Sequence, residues 1–312
     1  MILFISNRIL MSIPVVLGAI SLTFIFMYII PGDPVRSMVG DYYNDSDLEQ
    51  LRDELGLNDS MAIQYVKFIK KTIKADFGKS YITNSPVLPL VINKIPYTLQ
   101  LAFFSIVFAV FFGVLFGTIS AIYYRSWLDK FFILLSLFGA SAPVFWVALL
   151  MIMFVGIWLQ LLPPTGFGEM KFIILPSIVL GFRSMSLLCR TTRAYMLEVL
   201  NEDFILTAKA KGLPQYIVIL KHALKNTLIP IITIVAADFG SYLSGAVLTE
   251  SIFGWPGIGR FLLDAIMQRD FPVVQGTVLF IVLLFIFLNL IVDIVYGIID
   301  PRVRKHLYEQ KN

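Results

Sequence analysis

The sequence predicts an all-α integral membrane protein with six transmembrane helices. Of its 312 residues, 58% are apolar and 15% are charged, and the mean hydropathy is +0.81. Ordinary soluble domains are less apolar and carry about 25% charged residues. The long uncharged stretches also match the roughly 20 residues that a helix needs to cross a bilayer. We therefore expect the chain to fold in contact with lipid.

The predicted spans are six apolar segments. We interpret the first as a membrane anchor rather than a signal peptide, because its apolar run is long and ends without an A-x-A-like cleavage site. Gly113 and Gly117 in the second segment allow a neighbouring helix to approach closely, and Pro143 predicts a bend in the third. In chain order, the segments are 9–30, 99–124, 131–159, 172–189, 228–248 and 277–299.

Positive charges predict the orientation of these segments. Lysines and arginines concentrate in two short loops and after the last segment, which the positive-inside rule assigns to the cytoplasm. Both termini are then cytoplasmic, and residues 31–96, 160–171 and 250–275 lie outside. We interpret the net charge of +4 as a topology signal and not as nucleic-acid affinity. The basic residues are Arg125, Lys130, Arg190, Arg193, Lys209, Lys211, Lys221, Lys225, Arg302, Arg304 and Lys305.

The long loop after the first segment predicts a small folded subdomain outside the membrane. Its residues 47–55 and 61–73 have the apolar spacing of helices. The predicted domain order is 1–30 for the N-terminus and first helix, 31–97 for the external subdomain, 98–300 for the transmembrane domain and 301–312 for a cytoplasmic tail.

Residues suited to catalysis or metal binding do not occur in a recognisable arrangement. The GKS sequence at 78–80 lacks the leading glycine of a P-loop, since Ile73 occupies that position. The only histidines, His222 and His306, lack zinc-site spacing and a nucleophile pattern. The single Cys189 permits no internal disulfide. We predict no catalytic residue, no metal site and no cofactor, and hence that the chain is not itself an enzyme.

Charged residues inside the predicted spans are Arg183, Asp238 and Asp293. An ionisable group in the bilayer is costly, so each should face a partner or a wet cavity. A proton relay would use such residues, but three isolated charges fit structural pairing or cavity lining better. We assign them as intramembrane polar or pathway residues.

Residues 201–230 form a polar segment between two apolar spans. Ala208 and Ala210 favour a helix, Gly212 can end it in the left-handed conformation, and Pro214 suits the first turn of a second helix. The sequence therefore predicts a helix–turn–helix outside the bilayer. It either caps the bundle as a surface hairpin or presents its small residues, beside Lys209 and Lys211, to another protein.

The stretch 250–271 predicts a tight turn followed by a helix along the external interface. Aromatic residues and proline stand there among glycines, and the apolar residues from Ile258 onward recur at helical spacing. The segment is too short and too charged to span, and the alternative is a flexible loop. The candidate residues are Glu250, Phe253, Trp255, Pro256, Gly257, Arg260 and Asp264, with Arg260 and Asp264 one turn apart.

These segments resemble the permease subunits of binding-protein-dependent ABC importers, most closely the B-type permeases of the oligopeptide, dipeptide and nickel group. The resemblance covers nearly the whole chain, and the C-terminal motifs are the most specific. The motifs are IPGDP at 30–34, LGL at 55–57, DFGKS at 76–80, LPPTG at 162–166, TAKAKG at 207–212, ESIFGWPGIGRFLLDAI at 250–266, RDFPVVQG at 269–276, NLIVDIVYG at 289–297 and DPR at 300–302.

The resemblance implies that the polar loop, about 193–227, supplies the coupling helix that docks on a cytoplasmic ATPase. Gly212 and Ala208 occupy matching positions, whereas Leu206 and Thr207 stand where the broader family has Glu and Ala. The coupling residues assigned on this basis are Asp203, Thr207, Ala208, Lys209, Ala210, Lys211 and Gly212. It further implies a multi-pass subunit of the bacterial cytoplasmic membrane that forms half of a pathway. Its partners would be a homologous C-type permease, two ATPase subunits and an external substrate-binding protein, with no nucleic acid.

Several functions stay open at this point. Peptides, either oligopeptides or dipeptides, are the favoured substrate, and nickel or a metal chelate is the alternative. A self-energised secondary transporter would normally show more spans, paired broken helices or a denser set of intramembrane charges. A membrane-embedded enzyme would need catalytic groups that converge at one depth. Transport or turnover by the chain alone would establish either of the last two.

Overall fold

The computed structural model describes residues 2–29, 49, 52–53, 56–243 and 246–299. This part of the chain is helical apart from turns, loops and one isolated bridge between Lys79 and Pro86, which confirms the all-α prediction. The helices are α1 (Ile2–Ile29), α2 (Met61–Ile73), α3 (Val87–Ile92), α4 (Ile95–Ile122), α5 (Trp127–Ser141), α6 (Val144–Trp158), α7 (Lys171–Val199), α8 (Asp203–Ala210), α9 (Gln215–Asn226), α10 (Leu228–Leu243), α11 (Val247–Phe253), α12 (Ile258–Met267) and α13 (Phe271–Ile299).

Length and composition identify the stretches that can cross a membrane. Among the described residues, Val87–Ile122, Lys171–Val199 and Phe271–Ile291 are long and apolar enough. Two bent helix pairs, α5 with α6 and α9 with most of α10, raise the number to five if each pair is one span. Helix α1 contains a shorter apolar stretch, Leu10–Ile25. The arrangement in six spans stays a prediction.

The predicted segment 131–159 is not one continuous helix. Ala142 and Pro143 are extended, with ψ angles of 131° and 135°, and α5 and α6 meet there at 112°. Proline cannot donate to the helix that precedes it and also disfavours a helical conformation in the residue before it. The predicted bend is therefore a break between two helices.

Two further boundaries differ from the prediction. The fourth segment was predicted to end at residue 189, but the helix α7 continues to Val199. The arginines beyond that position, which suggested an end to the span, instead belong to the same helix. The fifth segment was predicted to residue 248, but α10 ends at Leu243 and Ala246 is non-helical.

The first of two compact units contains the described residues of Met1–Thr98 and Pro256–Asn312. In this unit α13 packs against α1, α3 and α12, and α1 also contacts α2. Gly276 permits the close approach of α13 to α3, because an added Cβ would lie 2.7 Å from Val87 Cγ1. The buried core of the unit consists of Val87, Val91, Ile258, Ala265 and Val273.

The second unit is Leu99–Trp255. Helix α7 is its centre and contacts α5, α6, α10 and α11. Gly113 and Gly117 let the backbone of α4 lie directly on α7: an added Cβ would stand 2.7 Å from Leu188 Cβ and 2.5 Å from Cys189 O, respectively. The close helix approach predicted from these glycines is confirmed as a contact within the chain.

The boundaries of the two compact units can be compared with those of the predicted domains. The expected boundary at 97/98 lies beside the boundary between Thr98 and Leu99. Residues 256–299, predicted as part of the transmembrane domain, pack with the N-terminal residues. The segment 47–55 of the predicted external subdomain is described only at residues 49, 52 and 53, whereas Met61–Ile73 forms the predicted helix α2.

Candidate functional site

Helices α8 and α9 form the helix–turn–helix that the polar segment predicts. Gly212 has a φ of +73°, so it ends α8 in the left-handed conformation expected of it. Its N–H donates to Lys209 O at 2.9 Å, and the Leu213 N–H reaches back to Ala208 O at 3.4 Å. Pro214 occupies the position before α9 rather than its first turn. We call residues 203–226 the hairpin.

The interior of the hairpin contains Ala208. Its side chain is only 6% exposed and packs with Met196, Ile205, Val218 and Ala223 in one buried cluster. The interpretation of Ala208 as part of an exposed docking surface is therefore wrong. Ala208 and Ile205 lie three residues apart, on the same face of α8, and that face is turned toward the chain's own core.

The outer face of the hairpin is a mixture of polar and large apolar side chains. Leu206 is 55% exposed and Tyr216 is 65% exposed. Sequence reasoning missed these residues, although helical spacing that buries Ile205 and Ala208 necessarily turns Leu206 outward. The exposed residues of the hairpin include Asp203, Phe204, Leu206, Thr207, Lys209, Ala210, Lys211, Gly212, Leu213, Tyr216 and Leu220.

An ion pair between a buried carboxylate and a partly exposed guanidinium lies close to the residues on which the hairpin packs. Asp129, in the first turn of α5, is 2% exposed and accepts hydrogen bonds from Arg193 Nε at 2.7 Å and Nη2 at 2.9 Å. Ser120 Oγ and the Arg125 N–H also donate to its carboxylate. Sequence reasoning used Arg193 only for topology and missed Asp129. The spacing of Ser126 and Asp129, typical of a helix N-terminus, was the available signal.

Two of the three predicted intramembrane charges lie close together. Asp238 on α10 lies near Arg183 and Ser184, both on α7, and interacts electrostatically with them. Ser184 also pairs with the hydroxyl of Tyr242, which donates to Leu180 O at 3.0 Å. Asp238 Oδ2 is buried without a hydrogen-bond partner among the described residues. The side chain of Asp293 lies outside the described residues.

The predicted external turn begins in the second unit. Glu250 is fully buried in α11, and Phe253 belongs to a cluster with Leu175 and Val179. The LPPTG motif joins this helix end, since the Gly166 N–H donates to Phe253 O at 2.8 Å. Phe167 and Trp255 pack edge to face, with ring centroids 5.1 Å apart. The LPPTG segment and the first residues of the ESIFGWPGIGRFLLDAI motif are therefore in direct contact.

The rest of the turn belongs to the first unit, where α12 is the predicted helix Ile258–Met267. It follows Pro256 and Gly257, and its first N–H, that of Ile258, donates to Thr98 Oγ1 at 2.9 Å. Arg260 Nε lies 3.8 Å from Asp264 Oδ2, one turn away. Ile258 and Ala265 are buried. The flexible-loop alternative is thereby excluded for these residues.

The DFGKS motif is held by the RDFPVVQG motif in the same unit. Asp270 is 4% exposed and accepts hydrogen bonds from Ser80 Oγ at 2.5 Å and from the Tyr81 N–H at 3.1 Å. Burial, with the nearby Asp270 charge, raises the pKa of Tyr81 to about 12. Phe77 lies against Gly276. The motif thus forms a loop that is held in place by Asp270 and packs against α13.

A cavity of about 520 Å³ lies beside this loop. It is bordered by α1, α2, the DFGKS loop and the start of α13. Its lining includes Lys67, Lys71, Lys79, Phe24, Phe68, Phe77, Tyr81 and Gln275. Within the described ranges, the chain has no group of three or more His, Cys, Asp or Glu side chains that could hold a metal ion.

The long apolar helices, together with the polar hairpin, are those of a helical membrane protein. The sequence pattern of the binding-protein-dependent transport system inner membrane component matches residues 113–305, and the N-terminal pattern of such membrane components matches residues 1–102. The chain belongs to this family of transport-system permeases. The resemblance drawn from its motifs is confirmed at that level.

Relatives match the chain over nearly its full length. It is 40% identical to the dipeptide transport system permease protein DppB of Haemophilus influenzae, with 96% of this chain and 99% of that protein covered. It is 37% identical to DppB of Alkalihalophilus pseudofirmus, over 96% and 98%. It is 36% identical to the glutathione transport system permease protein GsiC of Escherichia coli K12, again over 96% and 98%.

A solved structure has the same fold at low sequence identity. A chain of the MetNI methionine ABC transporter, in inward-facing conformations, superposes with a TM-score of 0.57 at 15% identity. The match covers 68% of this chain and 97% of the other. It supports the helical transporter fold.

Proposed function

We propose that this chain is the permease subunit of an ATP-driven importer of peptides and forms half of the pathway across the bacterial cytoplasmic membrane. The observation that carries the proposal is identity of 36–40% over nearly the whole length to permeases named for dipeptide and glutathione transport. Both substrates contain peptide bonds, which favours a peptide over nickel or a metal chelate. Substrate selection then depends on the binding protein as well as on this chain.

The partners follow from the family. A binding-protein-dependent system requires a binding protein, a second permease and a source of energy. We propose a homologous C-type permease, two cytoplasmic ATPase subunits and an external substrate-binding protein. In the proposed topology the chain has six spans and both termini are cytoplasmic, so α8 and α9 face the ATPase while α2 and α12 face outward.

The hairpin is the proposed site of ATPase contact. Its inner face is anchored through Ala208 and Ile205, and its outer face offers exposed apolar side chains flanked by Lys209 and Lys211. Such a surface suits a cleft on another protein, because apolar anchors supply most of the binding free energy at an interface. The lysines contribute less, since exposed ion pairs are weak. Movement of the ATPases would then displace the hairpin.

The external contact is proposed for the first unit. There the DFGKS loop and α12 are held by buried groups, Asp270 and Ile258. A rigid surface of this kind suits a transient partner, because little ordering is needed on binding. The lysines around the 520 Å³ cavity make this side favourable for acidic groups on a binding protein.

Replacing Leu206 by aspartate tests the proposed function. We expect the affinity for the ATPase subunits to fall by about tenfold or more, because altering a central interface residue costs about 2 kcal/mol or more. Uptake of a radiolabelled dipeptide should fall with it. The measurement is the amount of ATPase that co-purifies with the affinity-tagged chain, together with uptake in whole cells.

The matched control is Leu161→Asp, which places the same charge on another strongly exposed leucine of the second unit. It should leave co-purification unchanged. Unaltered ATPase binding and uptake in the Leu206 variant would contradict the docking assignment. Dipeptide uptake by the purified chain alone would contradict the whole proposal in favour of a self-energised transporter.

Cysteine scanning of residues 258–269 tests the proposed topology. In a Cys189→Ser background, a membrane-impermeant thiol reagent added from outside should label positions with helical periodicity. Positions 264, 267 and 268 should react, because their side chains are exposed, while positions 258 and 265 should not, because theirs are buried. Labelling that occurs only when the reagent reaches the cytoplasm would overturn the six-span arrangement.

A further inference from the structure

The ion pair between Asp129 and Arg193 joins three segments of the second unit. Asp129 belongs to α5 and Arg193 to α7, while the other two donors, Ser120 Oγ and the Arg125 N–H, come from α4 and the turn after it. The carboxylate therefore accepts four hydrogen bonds, two on each oxygen. A guanidinium that binds in this two-pronged way determines orientation as well as distance.

The pair lies directly beside the residues that carry the hairpin. Ala121 follows Ser120 on α4, and Met196 stands one turn after Arg193 on α7. Both Ala121 and Met196 belong to the buried cluster that contains Ile205 and Ala208 of α8 and Val218 of α9. The hairpin thus rests on the same two helix ends that the Asp129 carboxylate ties to α5.

An ion pair with a buried carboxylate is poorly explained by stability alone. The Asp129 side chain is 3% exposed and the Arg193 side chain is 21% exposed, and the loss of hydration offsets much of the attraction between the charges. A carboxylate that accepts four hydrogen bonds does, however, hold its helices in one relative arrangement. Arg193 is additionally placed over the Tyr124 ring, 5.3 Å from its centroid. The contacts of Asp129 and Arg193 are thus suited to a rigid linkage between α4, α5 and α7.

We propose that the Asp129–Arg193 pair is a positioning linkage that transmits displacement of the hairpin and α7 to α5. The hairpin follows α7 in the chain and packs on it at Met196. Helix α5 runs from Trp127 to the break before Pro143, and α7 carries Arg183 and Ser184 near Asp238. The Asp129 carboxylate ties α5 to this moving part. The inference rests on the proposed function, because it requires an ATPase that displaces the hairpin.

The test uses the complete reconstituted transporter with Arg193→Lys and, separately, Asp129→Asn. The lysine keeps the charge but cannot make the two-pronged contact, and the asparagine keeps the shape but not the charge. We expect both variants to assemble with the ATPase and hydrolyse ATP. The amount of dipeptide transported per ATP hydrolysed should fall by about tenfold, within the usual range of coupling between sites.

The control is Glu169→Gln, which breaks an exposed ion pair with Lys171 in the same unit and should leave the transport ratio unchanged. A parental transport ratio in the assembled Arg193→Lys and Asp129→Asn transporters would overturn the proposal. Transport and hydrolysis that fall in parallel with the amount of assembled transporter would also overturn it, because the pair would then be only structural. Failure of the parental chain to bind any ATPase would instead contradict the proposed function.

Discussion

Replacing Gly117 by alanine is expected to separate α4 from α7 and abolish transport. The added methyl group would lie 2.5 Å from the Cys189 carbonyl oxygen and 2.7 Å from Thr192 Cβ. A backbone oxygen within a helix cannot rotate away, so the two helices must move apart. Alanine favours a helix over glycine by about 1 kcal/mol. Overpacking of a core costs about 1–3 kcal/mol and more where backbone must shift, so the steric effect prevails.

The measurement is thermal unfolding of the detergent-purified chain, together with dipeptide uptake in cells. The matched control is Gly18→Ala on α1, where an added Cβ meets nothing within 4 Å. That variant has the same gain in helix propensity without the collision, so it should be neutral or slightly more stable. A Gly117→Ala protein that unfolds at the parental temperature and transports normally would show that α4 and α7 do not pack in this way.

Replacing Ala208 by tryptophan is expected to disrupt the hairpin from within. The side chain is buried against Met196, Ile205, Val218 and Ala223, where no room for an indole ring exists without displacing α8. The cost of such overpacking is about 3 kcal/mol or more. Uptake should be lost, and a protease added to inverted membranes should cleave within residues 203–226 far faster than in the parental chain.

Ala210→Trp provides the comparison, because Ala210 is exposed on the same short helix. The same ring at this position should leave the hairpin resistant to protease. It should still reduce ATPase binding if the outer face is the docking surface. Equal protease resistance in both tryptophan variants would refute the burial of Ala208, whereas loss of resistance in both would show that α8 tolerates no large side chain.

Several elements of the fold could be predicted from the sequence. The apolar stretches identify a membrane protein, and helical spacing predicts α2 and α12, with α12 beginning at Ile258 and α2 at Met61. Gly212 was predicted to adopt a positive φ because only glycine does so without strain. Each of these features depends on local conformational preference or on a simple period, so each can be read without knowledge of distant contacts.

The candidate site was predicted less completely. The hairpin was located correctly, but periodicity does not reveal which face meets the chain's own core, so Ala208 was assigned to the wrong side. Asp129 and Arg193 are 64 positions apart and each resembles an ordinary loop charge in the sequence. Their pairing depends on how α5 packs on α7, which no local pattern encodes.

What the sequence alone determined is the class of protein and the position of the polar hairpin. The apolar composition indicates that the chain lies in lipid. The spacing of apolar residues indicates where helices form, and glycine and proline indicate where the chain turns or breaks. Only the tertiary structure decided that the DFGKS loop rests on Asp270, that Gly117 meets Cys189, and that a carboxylate joins three helices beneath the hairpin. The physical reason is that burial and pairing depend on residues far apart in the chain, whereas conformational preference depends on neighbours.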